Sequence, residues 1–113
     1  MVHEAMQAAQ ALEQEGISAA VVNVFTIKPL DVDTVVRYAK RTGAVVVAEN
    51  HNRHGGLSSA ISTALAEHAP TPAQFVAVED VFGEVGPLDY LQKRFGLTSE
   101  NIMAKARTVL TRK

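Results

Sequence analysis

Three apolar runs rich in β-branched residues constrain this chain more than anything else in it: ISAAVVNVFTI (Ile17 to Ile27), AVVVAEN (Ala44 to Asn50) and AQFVAVED (Ala73 to Asp80). Each is nearly continuous in its apolarity instead of alternating, as expected of strands covered on both faces in a parallel sheet. Parallel neighbours need crossover connections, and the intervening segments carry helical periodicity. Val2 to Glu15 places Val2, Met6, Ala9 and Leu12, with Ala8 beside them, at helical spacing, and Gly16 follows where a left-handed cap is wanted. Asp31 can cap a helix whose stripe is Val32, Val35, Val36 and Ala39, closed by Gly43. A third helix, from about Leu57 to Glu67, turns Leu57, Ala60, Ile61, Ala64 and Leu65 inward before Pro70 and Pro72 break it. PLDYLQKRFG reads as a short helix stopped by Gly96, and TSENIMAKARTVLTR as a last one capped by Thr98. The expectation is a single α/β domain over residues 1–113, a three-layer α/β/α sandwich with a mostly parallel sheet. One difficulty accompanies it. The opening helix has no strand before it, and three strands make a narrow sheet for about five helices, so a strand is expected to be missing ahead of Met1.

Composition narrows the function classes. A net charge of −1 with dispersed Lys and Arg provides no broad field for nucleic acid or another polyanion. Without cysteine, disulfides, thiolate metal sites and a cysteine nucleophile are excluded. No apolar run approaches the ~20 residues of a membrane span, and the N-terminal stretch carries acids where a signal peptide would be basic and then apolar. The expected setting is the cytoplasm, with no nucleic-acid or membrane partner.

The stretch AENHNRHGGLSSAI joins the second apolar run to the third helix and concentrates chemistry-bearing residues. His51 and His54, with Glu49 nearby, permit a metal site without specifying one. Gly55 and Gly56 before a helix start, with Arg53 adding charge, suit an anion such as phosphate, although the run is neither a Walker loop nor a GxGxxG fingerprint. The plain alternative is a tight strand-to-helix turn in which Ser58 or Ser59 satisfies helix-start donors and the polar side chains face water. Between these lies a docking surface, since loops after the carboxyl ends of parallel strands are where open α/β sheets place ligands and partners. Lys28, in FTIKPLD, is expected at the same sheet end. It reads as an anion contact, a buried-amine nucleophile or, more plainly, a solvated lysine held extended by Pro29. Glu79, Asp80 and Glu84 could do acid–base work or hold a hard cation, yet acids before a helix usually serve as caps and dipole partners. His3 and His68 sit on helix surfaces or ends. Ser58, Ser59, Ser62 and Ser99 lack a nucleophile-elbow setting. The residues alone give an α/β domain with a polar rim and no self-contained catalytic constellation.

Three motifs in order, VVNVFTIKPLD, AENHNRHGGLSSAI and FGLTSENIMAKA, resemble the C-terminal domain of transketolase and its thiamine-diphosphate-dependent relatives, from about Val2 to the last helix. FTIKPLD looks more like transketolase itself than like 1-deoxyxylulose-5-phosphate synthase or the β chains of 2-oxoacid dehydrogenases. Glu49, Gly55, Gly56, Leu57 and Ser58 carry the family's acid, polar loop and Gly-Gly-hydrophobic-small pattern, and Phe95 and Gly96 its terminal segment. The resemblance implies an N-terminally truncated domain, because family members precede the first helix with an apolar strand inside a sheet of about five. It implies a parent enzyme transferring a two-carbon ketol unit between sugar phosphates, with thiamine diphosphate and magnesium held by the preceding domains and none by this chain. It implies partners in the remaining transketolase domains or subunit and a homo-oligomeric assembly. Lys28, Glu49, His51, Arg53, His54, Gly55 and Gly56 are the candidate anion or interface contacts, and no catalytic, cofactor or metal residue is assigned. The alternative is a free-standing module binding a phosphorylated ligand at the Gly55–Gly56 helix start.

Overall fold

The computed structural model describes residues 1–113. Five helices, α1 (Val2–Gln14), α2 (Val32–Thr42), α3 (Leu57–His68), α4 (Leu88–Arg94) and α5 (Ser99–Leu110), surround two strands, β1 (Val45–Asn52) and β2 (Ala73–Val78). β1 and β2 pair in parallel, with Val45 opposite Ala73 and Ala48 opposite Val76. An irregularity then brings Asn52 opposite Val78. Successive side chains of a strand point to opposite faces, and the two faces bury different helices. On one, Val76 packs with Ala8 of α1, with Leu97 just ahead of α5 and with Ile102 within it, flanked by Val46, Ala48 and Val78. On the other, Val47 packs with Ala39 of α2 and with Ile61 and Leu65 of α3, flanked by Val45, Ala73 and Phe75. The expected α/β/α layering is present, built on a smaller sheet.

The helix punctuation follows local chemistry. The Asp31 carboxylate accepts from the Thr34 N–H (3.1 Å) and hydroxyl (2.7 Å), and these bonds hold its carboxyl below the usual aspartate range. Gly43 ends α2 in the left-handed conformation at φ 74°, which a Cβ would oppose. The Thr98 side chain accepts from the Asn101 N–H at 3.2 Å to start α5.

The apolar run Ile17 to Ile27 corrects the sequence expectation, since it forms no strand. Strand propensity records fitness for a pleated, half-buried surface and does not supply a neighbour. No backbone or side-chain hydrogen bond involves Ser18 through Lys28, and Phe25 stands 90% exposed. The sheet therefore has two strands where three were expected.

The α1 stripe is buried only in part. Of the expected stripe, Leu12 and the adjacent Ala8 are buried while Val2 and Met6 are exposed, because α5 packs against the Ala5–Ala8 side of α1. Two polar ties hold the pair. Glu4 Oε2 accepts from the Ser99 N–H at 2.7 Å, capping α5 from α1. At the far ends, Arg107 grips the Glu15 carboxylate through Nε (3.0 Å) and Nη2, a two-pronged bond that lowers the Glu15 pKa.

Candidate functional site

The loop from β1 to α3 is organised by one carboxylate. Glu49 lies on the β1 face that carries Val45 and Val47, so its side chain is directed toward α3 and is only 7% exposed. Its Oε2 accepts from the Leu57 N–H at 2.7 Å and its Oε1 from the Ser58 N–H at 2.8 Å. Two of the orphan donors of the helix start are thus satisfied by an anion at the positive end of the helix dipole. Neither Ser58 nor Ser59 does this. Ser58 Oγ is buried without a partner, while Ser59 Oγ accepts from the Gly55 N–H at 2.9 Å. A long-range cap arriving eight residues ahead of its helix was not legible from local patterns, and the acid in the family-like motif was the only sign of it.

The glycines have separate reasons. Gly55 adopts φ 84° in open surroundings, so its requirement is conformational. Gly56 has φ −106° and is buried, and a Cβ there would strike Glu49 Oε2 and lie 2.8 Å from His51 Nδ1. Gly56 is a matter of space.

The remaining loop residues are fixed from below and open above. The Arg53 N–H donates to the Val78 carbonyl at 2.9 Å; its guanidinium stacks 5.0 Å from the Phe75 ring centroid and donates to Glu79 Oε2 at 3.2 Å. His54 is turned by its N–H bond to Asn52 Oδ1 (2.9 Å), and His51 Nδ1 lies 2.8 Å from the Asn52 carbonyl oxygen. Both imidazoles are exposed. Glu49, His51, Arg53, His54, Gly55 and Gly56 therefore form one structure. Lys28 makes no hydrogen bond or ion pair to it and is exposed in the turn before α2.

The acids after β2 are ion-pair and hydrogen-bond partners. Glu79 meets Arg53, and Glu84 binds Arg94 Nε at 2.7 Å and accepts from the Tyr90 hydroxyl at 3.0 Å, which raises the Tyr90 pKa. Around them the segment Val81–Leu88 leaves large apolar side chains in the open, with Phe82 97% exposed, and α4 buries none of its own residues. The sequence does not announce this apolar surface, since Gly83, Glu84, Gly86 and Pro87 break it into pieces of one or two apolar residues. The helix start that a phosphate would use has its Leu57 and Ser58 donors engaged by Glu49, and an incoming anion would meet that carboxylate. What the arrangement offers chemically is a stiff polar corner beside an uncovered apolar one. It has the form of a single α/β domain with a polar loop rim.

The comparisons agree with that class. The family model of the transketolase C-terminal domain matches residues 1–102, and the chain belongs to that family. It is 50% identical over its full length to the 6-deoxy-6-sulfo-D-fructose transketolase subunit SqwH of Clostridium sp. (strain MSTE9), and covers 35% of that protein. It is 37% identical over 96% of its length to human transketolase-like protein 2, covering 17% of it. A solved structure described as a split gene transketolase, inactive beta4 tetramer, superposes with a TM-score of 0.92 at 44% identity, over 97% of this chain and 36% of that one. The chain thus spans about a third or less of the proteins it matches.

Proposed function

We propose that this chain serves a transketolase that moves a two-carbon ketol unit between sugar phosphates, and that it contributes domain packing and oligomer contacts while the chemistry occurs elsewhere. The single observation that carries the reading is the uncovered apolar segment Val81–Leu88 at the carboxyl end of β2, next to the ordered His51–Gly56 loop. Contiguous apolar side chains rimmed by polar ones mark contact surfaces more often than solvated ones. Thiamine diphosphate and magnesium belong, on this reading, to the other domains of the assembly. The residues here do not fit them: nowhere do three His, Asp or Glu side chains converge, and Glu49 engages the α3 donors that a diphosphate would need. The similarity to a structure described as an inactive tetramer of β chains supports both self-association and the lack of turnover by this part alone.

The test co-expresses the chain with the polypeptide bearing the cofactor-binding domains. The expected result is no ketol transfer and no thiamine diphosphate binding by this chain alone, transfer by the mixture, and loss of transfer and of co-purification with Phe82→Asp, whose circular dichroism stays native. Turnover by the chain alone, or full complementation by Phe82→Asp, rejects the reading.

A further inference from the structure

We infer that Glu84 is a positioning residue of the contact surface: it ties the segment Val81–Pro87 down onto α4 and so holds Phe82 and Val85 in the outward setting in which they meet the cofactor-bearing part of the assembly. The inference rests on the proposed function and adds to it what keeps the apolar side chains presented. Every residue from Glu79 to Tyr90 is exposed, so core packing does not fix the segment. Within residues 1–113, the hydrogen bonds and ion pairs that reach Asp80–Gly86 are those of Glu84 alone. Its Oε1 accepts from the Tyr90 hydroxyl at 3.0 Å, and its Oε2 accepts from Arg94 Nε at 2.7 Å.

The two donors are anchored in turn. The Arg94 guanidinium stacks 5.2 Å from the Phe95 ring centroid, and Phe95 packs against the α1–α5 side of the core. The Tyr90 ring lies across Gly86, so near that a Cβ on Gly86 would stand 3.0 Å from Tyr90 Cδ1. The segment is thus gripped at Glu84 and Gly86. Val85 between them is 103% exposed, and Phe82 just before them 97%. A single exposed ion pair is worth little, but this carboxylate holds two donors of one helix at once. Apolar side chains set outward in advance lose less freedom on binding than ones that a loose loop must deliver.

The experiment titrates the chain into a fixed amount of the polypeptide bearing the cofactor-binding domains and measures ketol transfer. Wild type is compared with Glu84→Ala, Tyr90→Phe, Phe82→Ala and the Glu84→Ala/Phe82→Ala double variant. Glu84→Ala gives up two bonds to one carboxylate, so its half-maximal concentration rises roughly threefold to tenfold. Transfer at saturation and the thermal midpoint stay at the wild-type values, whereas a merely structural role would lower the midpoint. Tyr90→Phe, which lacks one bond of the two, shows a smaller rise. On top of Phe82→Ala, Glu84→Ala costs clearly less than it does alone, because it acts through that ring. An unchanged half-maximal concentration in Glu84→Ala while Phe82→Ala raises it, a lowered saturating rate or midpoint, or fully additive effects would overturn the inference and leave the proposed function standing. An unchanged concentration in Phe82→Ala would overturn both.

Discussion

Gly56→Ala probes the corner on which the β1–α3 connection is built. The added methyl would overlap Glu49 Oε2, approach Glu49 Cδ to 3.1 Å and sit 2.8 Å from His51 Nδ1. The φ of −106° is open to any residue, so the cost comes from space and not from backbone strain. To admit the methyl, the carboxylate must leave the Leu57 and Ser58 N–H groups, each a bond to a charged acceptor worth about 1.5–3 kcal/mol. With the carboxylate left buried, the total reaches roughly 3–5 kcal/mol, comparable to breaking a buried ion pair and a large share of the ~5–15 kcal/mol of a typical domain. Gly55→Ala supplies the contrast. It meets nothing within 4 Å and suffers only its φ of 84°, about 1–2 kcal/mol. Urea unfolding of the two variants, together with Glu49→Ala and the Gly56→Ala/Glu49→Ala double variant, measures the coupling. The double variant is expected to lose well under the sum of the single losses, since the methyl then has no carboxylate to displace. Additive losses, or a Gly56→Ala cost under about 0.5 kcal/mol, would refute the reasoning, because a surface-like cost means that the space is not needed.

Arg53→Ala removes a cation stacked on Phe75 and a half-exposed ion pair to Glu79, so it is expected to cost only about 0.5–1.5 kcal/mol by urea unfolding. Ile61→Ala empties a packed position between α3 and β1 and is expected to cost roughly 2–5 kcal/mol in the same assay. The Glu15–Arg107 tie is pH-dependent. Arg107 lowers the Glu15 pKa, so the stability it gives is present above the ordinary glutamate range and is lost as pH falls through the depressed value. Thermal unfolding of wild type and Arg107→Met should therefore differ at neutral pH and converge in acid; a gap that widens in acid contradicts the assignment.

Local signals were legible where local chemistry decides. Asp31, Gly43 and Thr98 mark helix ends by bonds that span three or four residues, and the structure has those ends. The candidate site was half legible. The polar string His51 to Gly56 announced a loop, but its organiser, Glu49, acts across the β1–α3 turn, and its reach depends on which face of the strand it occupies. The Arg53 clamp needed the β2 register to bring Phe75 and Glu79 beneath the loop, and no spacing in the sequence encodes that.

Ile17–Ile27 shows the limit most clearly, because its composition equals or exceeds that of β1 in β-branched character and yet no strand forms. β1 and β2 hold each other through a ladder whose two faces are covered by α1 and α5 and by α2 and α3. Ile17–Ile27 has the helices α1 and α2 beside it and no ladder. Burial pays only when the backbone polar groups are bonded at the same time, so an apolar run with helices and no neighbouring strand stays irregular and partly wet. A strand signal in a sequence is thus half of a statement about a pair. Here the run meets two helices and no hydrogen-bonding edge, so its composition alone does not make it a strand.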